Sequence, residues 1–97
     1  MKVYILVCQI TDVCYETGTY TKNMGVYSTF NKALAKAREF NPLILPSGDK
    51  VSGKLLEDPI AIIKRNNSWL VREFILTDFG CNQDKYCLTI YEMDLDA

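Results

Sequence analysis

One stretch of this 97-residue chain has the spacing of an amphipathic helix, and it constrains the fold more than any other feature. Its apolar side chains recur every three or four residues, as they do on the buried stripe of a helix: Phe30, Ala33, Leu34, Ala37 and Phe40. Ser28 or Thr29 supplies the N-cap oxygen. Asn41 ends the helix, because a residue before proline is pushed out of the α region. The sequence predicts one helix of about three turns, with alanines small enough to lie close on a sheet.

Strand-forming residues occupy most of the remaining chain. Five segments are predicted to be strands, at residues 2–11, 20–27, 60–65, 68–76 and 86–95. The first has apolar residues on both of its faces, which is typical of a central strand. Gly25 indicates a bulge, and Asn66-Asn67 fits a two-residue hairpin turn. We therefore expect a single domain over residues 1–97, a two-layer α+β fold with one main helix packed on a mostly antiparallel sheet of about five strands.

Composition excludes several classes of site. The chain has no histidine, which removes every Ser-His, Cys-His and His-metal arrangement, and its apolar content of 48% is ordinary for a globular domain. The longest uncharged stretch near the start, residues 3–11, is about half of what a bilayer span needs. It also lacks the features of a signal peptide. We expect a cytoplasmic protein with reduced thiols.

The four cysteines form two pairs with equal spacing, Cys8 with Cys14 and Cys81 with Cys87. A four-thiolate zinc site or two disulfides would use such pairs. Structural zinc sites favour two to four residues between paired ligands, whereas five separate each pair here. Cys8 and Cys87 also fall in predicted strands, where a thiolate cannot easily turn toward its mate. We expect free thiols, with no metal and no cofactor.

Two further patterns, a phosphate-loop spacing and a row of acidic residues, resemble catalytic motifs but lack features that catalysis needs. Gly48, Gly53 and Lys54 have phosphate-loop spacing, but Leu55 follows where the loop needs a serine or threonine for magnesium. Pro59 leaves no room for the helix that would bind the phosphate. Three acids on the last strand share one face, which we interpret as solvated: Glu92, Asp94 and Asp96. We expect no enzymatic activity.

Charge is unevenly distributed, although the net charge is only -1. Residues 32–72 carry eight basic and four acidic side chains, and residues 73–97 carry one basic and six acidic side chains. On the predicted hairpin, three cations surround Trp69: Lys64, Arg65 and Arg72. Basic groups beside an aromatic ring can hold single-stranded nucleic acid by stacking. The other interpretation places Trp69 in the core and the cations in solvent.

An apolar tripeptide, Leu43-Ile44-Leu45, lies between two prolines. Proline confines such a segment to a sheet edge or to no strand at all. The tripeptide either packs back on the core or forms an exposed patch for a partner. An edge position would also let the domain pair strand to strand with a second copy, as a homodimer, or with another chain.

Three stretches of the sequence resemble a set of short phage and bacterial domains of unknown function. They are an opening strand containing Val3-Tyr4-Ile5-Leu6, a turn Gly25-Val26-Tyr27-Ser28-Thr29 into a helix with Ala33 and Ala37, and a closing strand from Tyr91 to Asp96. Residues 43–85 depart from that pattern as an insertion with an extra hairpin. The resemblance carries no activity or catalytic residue. It implies a small accessory protein encoded by a phage or mobile element.

These observations favour a non-enzymatic protein-interaction domain that inhibits or modulates another protein, such as a host or defence component. The candidate partner-binding residues come from the apolar tripeptide and the basic hairpin: Leu43, Ile44, Leu45, Lys64, Arg65, Trp69 and Arg72. The first alternative is a single-strand nucleic-acid binder that uses the hairpin around Trp69. The second is a thiol or metal protein built on the cysteine pairs.

Overall fold

A computed structural model of the chain describes residues 1–12, 19–41, 43–44, 48, 53–57, 62–77 and 83–95. Six strands and one helix follow one another along these residues: β1 (Lys2–Asp12), β2 (Thr19–Tyr27), α1 (Phe30–Glu39), β3 (Lys54–Leu56), β4 (Ile63–Arg65), β5 (Ser68–Thr77) and β6 (Gln83–Asp94). None of the helical residues described forms a segment long and apolar enough to cross a membrane.

All six strands belong to one sheet, and every pairing in it is antiparallel. The strand order is β2-β1-β6-β5-β3, and β4 pairs with the other half of the β5 edge that β3 uses. β1 thus lies between β2 and β6, which confirms the central position predicted from its two apolar faces. The hairpin turn predicted at Asn66-Asn67 joins β4 to β5.

The helix packs on one face of this sheet. Ala33 and Ala37 are buried against a core cluster of sheet residues: Leu6, Cys8, Phe74, Leu88 and Ile90. The Thr29 hydroxyl accepts a hydrogen bond from the Lys32 backbone N–H at 3.2 Å, which satisfies a donor that the first turn leaves free. The helical spacing in the sequence therefore identified both the helix and its buried stripe.

Two bulges decide which side chains reach the helix. In β5 the register shifts between Leu70 and Arg72, so Val71 is an extra residue opposite β6. The face of every following residue is reversed, because successive side chains in a strand alternate. β2 has a similar shift opposite Leu6 and Val7 of β1. There Gly25 adopts φ +150, a conformation that side chains rarely allow, which confirms the irregularity expected at this glycine.

The β5 bulge turns Arg72 toward the end of the helix. Its Nη1 donates to the carbonyl of Ala37 at 3.0 Å and to that of Phe40. Its Nε and Nη2 donate to both carboxylate oxygens of Glu57, at 2.6 and 2.9 Å. The guanidinium also lies 4.9 Å from the centre of the Phe74 ring. Arg72 therefore joins the last turn of α1, strand β5 and the residue after β3.

The α+β class and the antiparallel sheet agree with the sequence, but the sheet is larger than expected. β3 lies outside the five predicted strands, and its three residues form a strand by pairing with the end of β5. A ten-residue helix is about 15 Å long, whereas the eleven residues of β1 extend for about 37 Å. The helix consequently covers only part of one face of the sheet.

We expect Arg72→Ala to lower the free energy of unfolding by about 1–3 kcal/mol, because it leaves two partly buried helix carbonyls without their donor, whereas the exposed Glu57 carboxylate can be hydrated. Arg72→Lys should recover only part of this loss, since one ammonium cannot reproduce the planar fork. Arg65→Ala, in the same hairpin but exposed, is the control and should cost less than about 0.5 kcal/mol. Urea denaturation measures all three; equal losses for Arg72→Ala and Arg65→Ala would contradict the role of Arg72.

Candidate functional site

The face of the sheet opposite α1 is open: no element among the described residues packs on it. Antiparallel partners share a face, so the register aligns its side chains in rows across the strands. One row runs through Val26, Ile5, Tyr91, Ser68 and Arg65, and the next through Asn23, Val7, Thr89, Leu70 and Ile63. We call this surface the open face. Its apolar half lies where β2 ends and β4 begins.

The other half of the open face is polar. Here the rows contain Gln9, Cys87 and Glu73, and then Thr11, Lys85 and Ile75. The Lys85 ammonium lies 2.8 Å from the Glu73 carboxylate, in an ion pair across β5 and β6. This pair raises the pKa of Lys85, through its hydrogen bond first and its charge second.

A shallow groove of about 250 Å³ lies where the two halves meet. Side chains of β1, β4, β5 and β6 line it: Gln9, Arg65, Ser68, Leu70, Glu73, Lys85, Cys87, Thr89 and Tyr91. The Glu73–Lys85 ion pair belongs to this lining, as does Arg65, which the sequence had marked as a candidate. Arg65 is exposed and has no ion-pair partner among the residues that the structure describes. Its guanidinium can therefore bind a carboxylate from another molecule.

The surroundings of the Cys87 thiol favour its protonated form. Burial and, after it, the Glu73 carboxylate raise the pKa of Cys87, while Lys85 and Arg65 oppose them. Since the thiolate is the nucleophilic form, these surroundings suit a neutral side chain better than a reactive one. The groove is thus equipped to bind through an arginine, an ion pair and hydroxyl groups.

Trp69 lies on the helix face, away from the groove. Its ring centre is 4.9 Å from that of Phe30 and 6.2 Å from that of Tyr4. The Lys64 ammonium sits 5.7 Å from the same ring. The structure therefore gives the indole aromatic neighbours within the domain, as the core interpretation of the sequence expected.

The three hairpin cations do not share one surface. Lys64 stays beside Trp69 on the helix face, Arg65 points to the open face, and Arg72 is held against the end of α1 with 17% of its side chain exposed. The sequence expectation of cations surrounding Trp69 requires them together. The alternation in β4 puts Arg65 on the face opposite Lys64. The bulge in β5 puts Arg72 on the helix face, where its guanidinium is bound to Glu57 and to the end of α1.

The apolar tripeptide is described only in part. Leu43 is half-buried, and its Cδ2 lies next to Gly53. The backbone N–H of Leu43 donates to the Asn41 side chain at 2.9 Å. Ile44 is 48% exposed, and Leu45 lies outside the described residues. The first residue thus turns inward and the second outward.

The remaining sequence motifs do not assemble a site in the described part of the chain. Cys8 and Cys87 lie on adjacent strands but on opposite faces, and Cys14 and Cys81 lie outside the described residues. The described residues contain no group of three or more potential metal ligands. Lys54 of the phosphate-loop pattern begins β3 instead of preceding a helix. Glu92 is paired with Lys2 at 2.7 Å.

Comparison with known proteins adds no relative. No protein-family model, curated protein or solved structure matches this chain. The resemblance to short phage and bacterial domains therefore stays a prediction.

Sequence reasoning missed most of the groove. Glu73, Lys85 and Thr89 were not candidates, and Cys87 was considered only as a member of the cysteine pairs. The alternation of β6 nevertheless separates Cys87 and Thr89 from the buried Leu88. One signal was available: the sequence predicts a single short helix for about five strands, and one short helix cannot cover both faces of a sheet. The outward residues of the central strands were therefore candidates for an accessible surface.

We expect an alkylating reagent to modify Cys87 slowly at neutral pH and faster in alkaline solution, because its raised pKa keeps the thiol protonated at neutral pH. Burial, and then the neighbouring Cys87, raise the pKa of Cys8 to about 11. Cys8 should react only when the protein unfolds. Peptide mass spectrometry over a pH series, with denatured protein as control, measures both; a Cys87 rate already at its plateau near neutral pH would contradict this account.

Proposed function

We propose that this chain is a small non-enzymatic binding domain of two layers whose open face is the interaction surface for another protein. The observation that carries this proposal is a sheet face on which no described element packs, with a groove between an apolar and a polar half. Large apolar side chains are exposed on this face by 47 to 57%: Val26, Ile63 and Met93, and also Leu56, which pairs with Ile75 in the polar half. Exposed apolar side chains bordered by polar groups are typical of protein-interaction sites.

The charge of the open face favours an acidic partner. Its described charged residues are three cations, Lys54, Arg65 and Lys85, and one carboxylate, Glu73. Glu73 is already paired with Lys85, which leaves Lys54 and Arg65 without an ion-pair partner among the described residues. Of these two, Arg65 lines the groove. A partner segment with a carboxylate next to apolar side chains would complement both Arg65 and the apolar half. Such complementarity sets association rate and partner choice.

Binding suits this surface better than catalysis does. The one thiol among the described residues of the groove is Cys87, and its raised pKa favours the protonated form. The chain has no histidine to act as a general base. We further propose that the partner is a host or defence component that the domain modulates. This last step rests on the resemblance to short phage and bacterial domains.

Single-strand nucleic-acid binding through the hairpin is supported less well. Stacking needs an accessible aromatic face, and the Trp69 ring packs against Phe30 and Tyr4. Of the described residues that line the groove, Tyr91 alone provides an aromatic ring. We therefore treat nucleic acid as an outcome of the test below.

We expect Arg65→Glu to reduce recovery of the partner in a pull-down from the native host by at least about fivefold, because it places a carboxylate opposite an acidic segment. Met93→Ser should reduce it through the apolar half. The matched control is Arg38→Glu, the same change on the exposed side of α1, and it should leave recovery unchanged. Raising the salt concentration should weaken the wild-type interaction, since exposed charges are screened.

The comparison of the two arginine variants decides the proposal. A partner lost with Arg38→Glu but retained with Arg65→Glu would place the interface on the helix side and refute it. A random single-stranded oligonucleotide that binds wild-type protein and is lost with Arg65→Glu, with no protein recovered, would replace the proposal by nucleic-acid binding. Circular dichroism of each variant establishes that it is folded.

A further inference from the structure

The outer edge of β2 is a long unpaired strand edge. β2 stands at one end of the sheet, so one row of its backbone N–H and C=O groups has no partner among the described strands. The opposite end of the sheet is divided between β3 and β4, of three residues each. Lys54 begins the first of these short strands, and Lys64 and Arg65 end the second. Short, charged edge strands resist pairing with other chains, whereas long ones invite it.

β2 has few of the features that protect an edge. Its nine residues contain no proline and one charged side chain, Lys22. Tyr20 is 67% exposed, and Thr21, Lys22 and Asn23 are exposed as well. Tyrosine and threonine are strong strand formers. The bulge opposite Leu6 and Val7 ends the regular stretch, which leaves residues 19–23 as a straight pairing edge.

We propose that this stretch of β2 pairs antiparallel with β2 of a second copy of the chain, around a two-fold axis at Thr21. This inference is independent of the function proposed for the open face. In this register Thr21 faces Thr21 of the second copy, and Tyr20 faces Lys22. A tyrosine ring beside an ammonium is a favourable cross-strand pair.

The charge of Lys22 favours this register over the one whose axis lies at Lys22. Pairing residues must lie on the same face, so the axis can move only in steps of one whole residue along β2. An axis at Lys22 would place two ammonium groups directly opposite each other, which destabilises a strand pair. The axis at Thr21 turns the same lysine into a partner for Tyr20. Both copies would then present their open faces on the same side of one continuous sheet.

We expect the wild-type protein to show a weak, concentration-dependent dimer in sedimentation velocity, because five paired residues give an interface at the small end of the known range. Thr21→Lys places two ammonium groups across the axis and should raise the dissociation constant by about tenfold or more. Asn31→Lys adds the same charge on the exposed surface of α1 and should leave it unchanged. A wild-type protein that remains monomeric at every concentration, or a dimer that Thr21→Lys leaves intact, overturns the proposal.

Cysteine cross-linking tests the register even if Thr21→Lys disturbs folding. Directly opposite Cα atoms in an antiparallel pair are about 4.5–5.5 Å apart, which a disulfide can span. Thr21→Cys should therefore form a covalent dimer under mild oxidation, identified by a peptide linked through position 21. Asn31→Cys is the control for random collision. Equal cross-linking of the two variants would refute pairing at Thr21, and so would linkage only through native cysteines.

Discussion

The side chain of Arg72 connects three parts of the domain that no other described residue brings together. It donates to the carbonyls of Ala37 and Phe40 and, through two other nitrogens, to both oxygens of Glu57. The last carbonyls of a helix have no partner within it, and the negative end of the helix dipole favours a cation there. One guanidinium therefore binds the carbonyls at the end of α1, fixes that end over β5 and binds Glu57, the residue that follows β3. Its five fixed donors explain why arginine suits this place.

Arg72 can do this only because Val71 is an extra residue in β5. Without the bulge, the alternation that puts Trp69 toward the helix would put Arg72 and Phe74 on the open face and Glu73 against the helix. Phe74 would leave the core, where it is almost fully buried, and Glu73 would lose Lys85. The same irregularity that completes the helix thus determines the charge of the open face. Core packing and surface chemistry are coupled through one backbone feature.

The parts of the fold that local spacing determines could be predicted from the sequence: the α1 stripe, its cap at Thr29, the central β1 and the Asn66-Asn67 turn. The rest depends on pairing between distant residues. β3 has three residues with no periodicity, and it is a strand because it meets the end of β5. The bulge in β2 could be predicted because glycine, found at Gly25, tolerates the φ that it needs. Nothing in the sequence around Val71 indicates the bulge in β5. For that reason the sequence could not predict on which face Arg72, Glu73 and Phe74 lie. Most of the groove could not be predicted either.

The charge pattern along the sequence is consequently not the charge pattern of the surface. Arg72 belongs to the basic middle segment, yet it is used inside the domain, where Glu57 pairs with it. Lys85 is the single cation of the acidic last segment, yet it lies on the open face beside Cys87. Strand pairing therefore redistributes charge between the two faces, and the electrostatic preference for a partner has to be argued from the open face. Among the described cations of that face, Lys54 and Arg65 have no ion-pair partner, and Arg65 is the one that lines the groove. The preference proposed for an acidic segment would therefore depend on Arg65 more than on the net charge of -1.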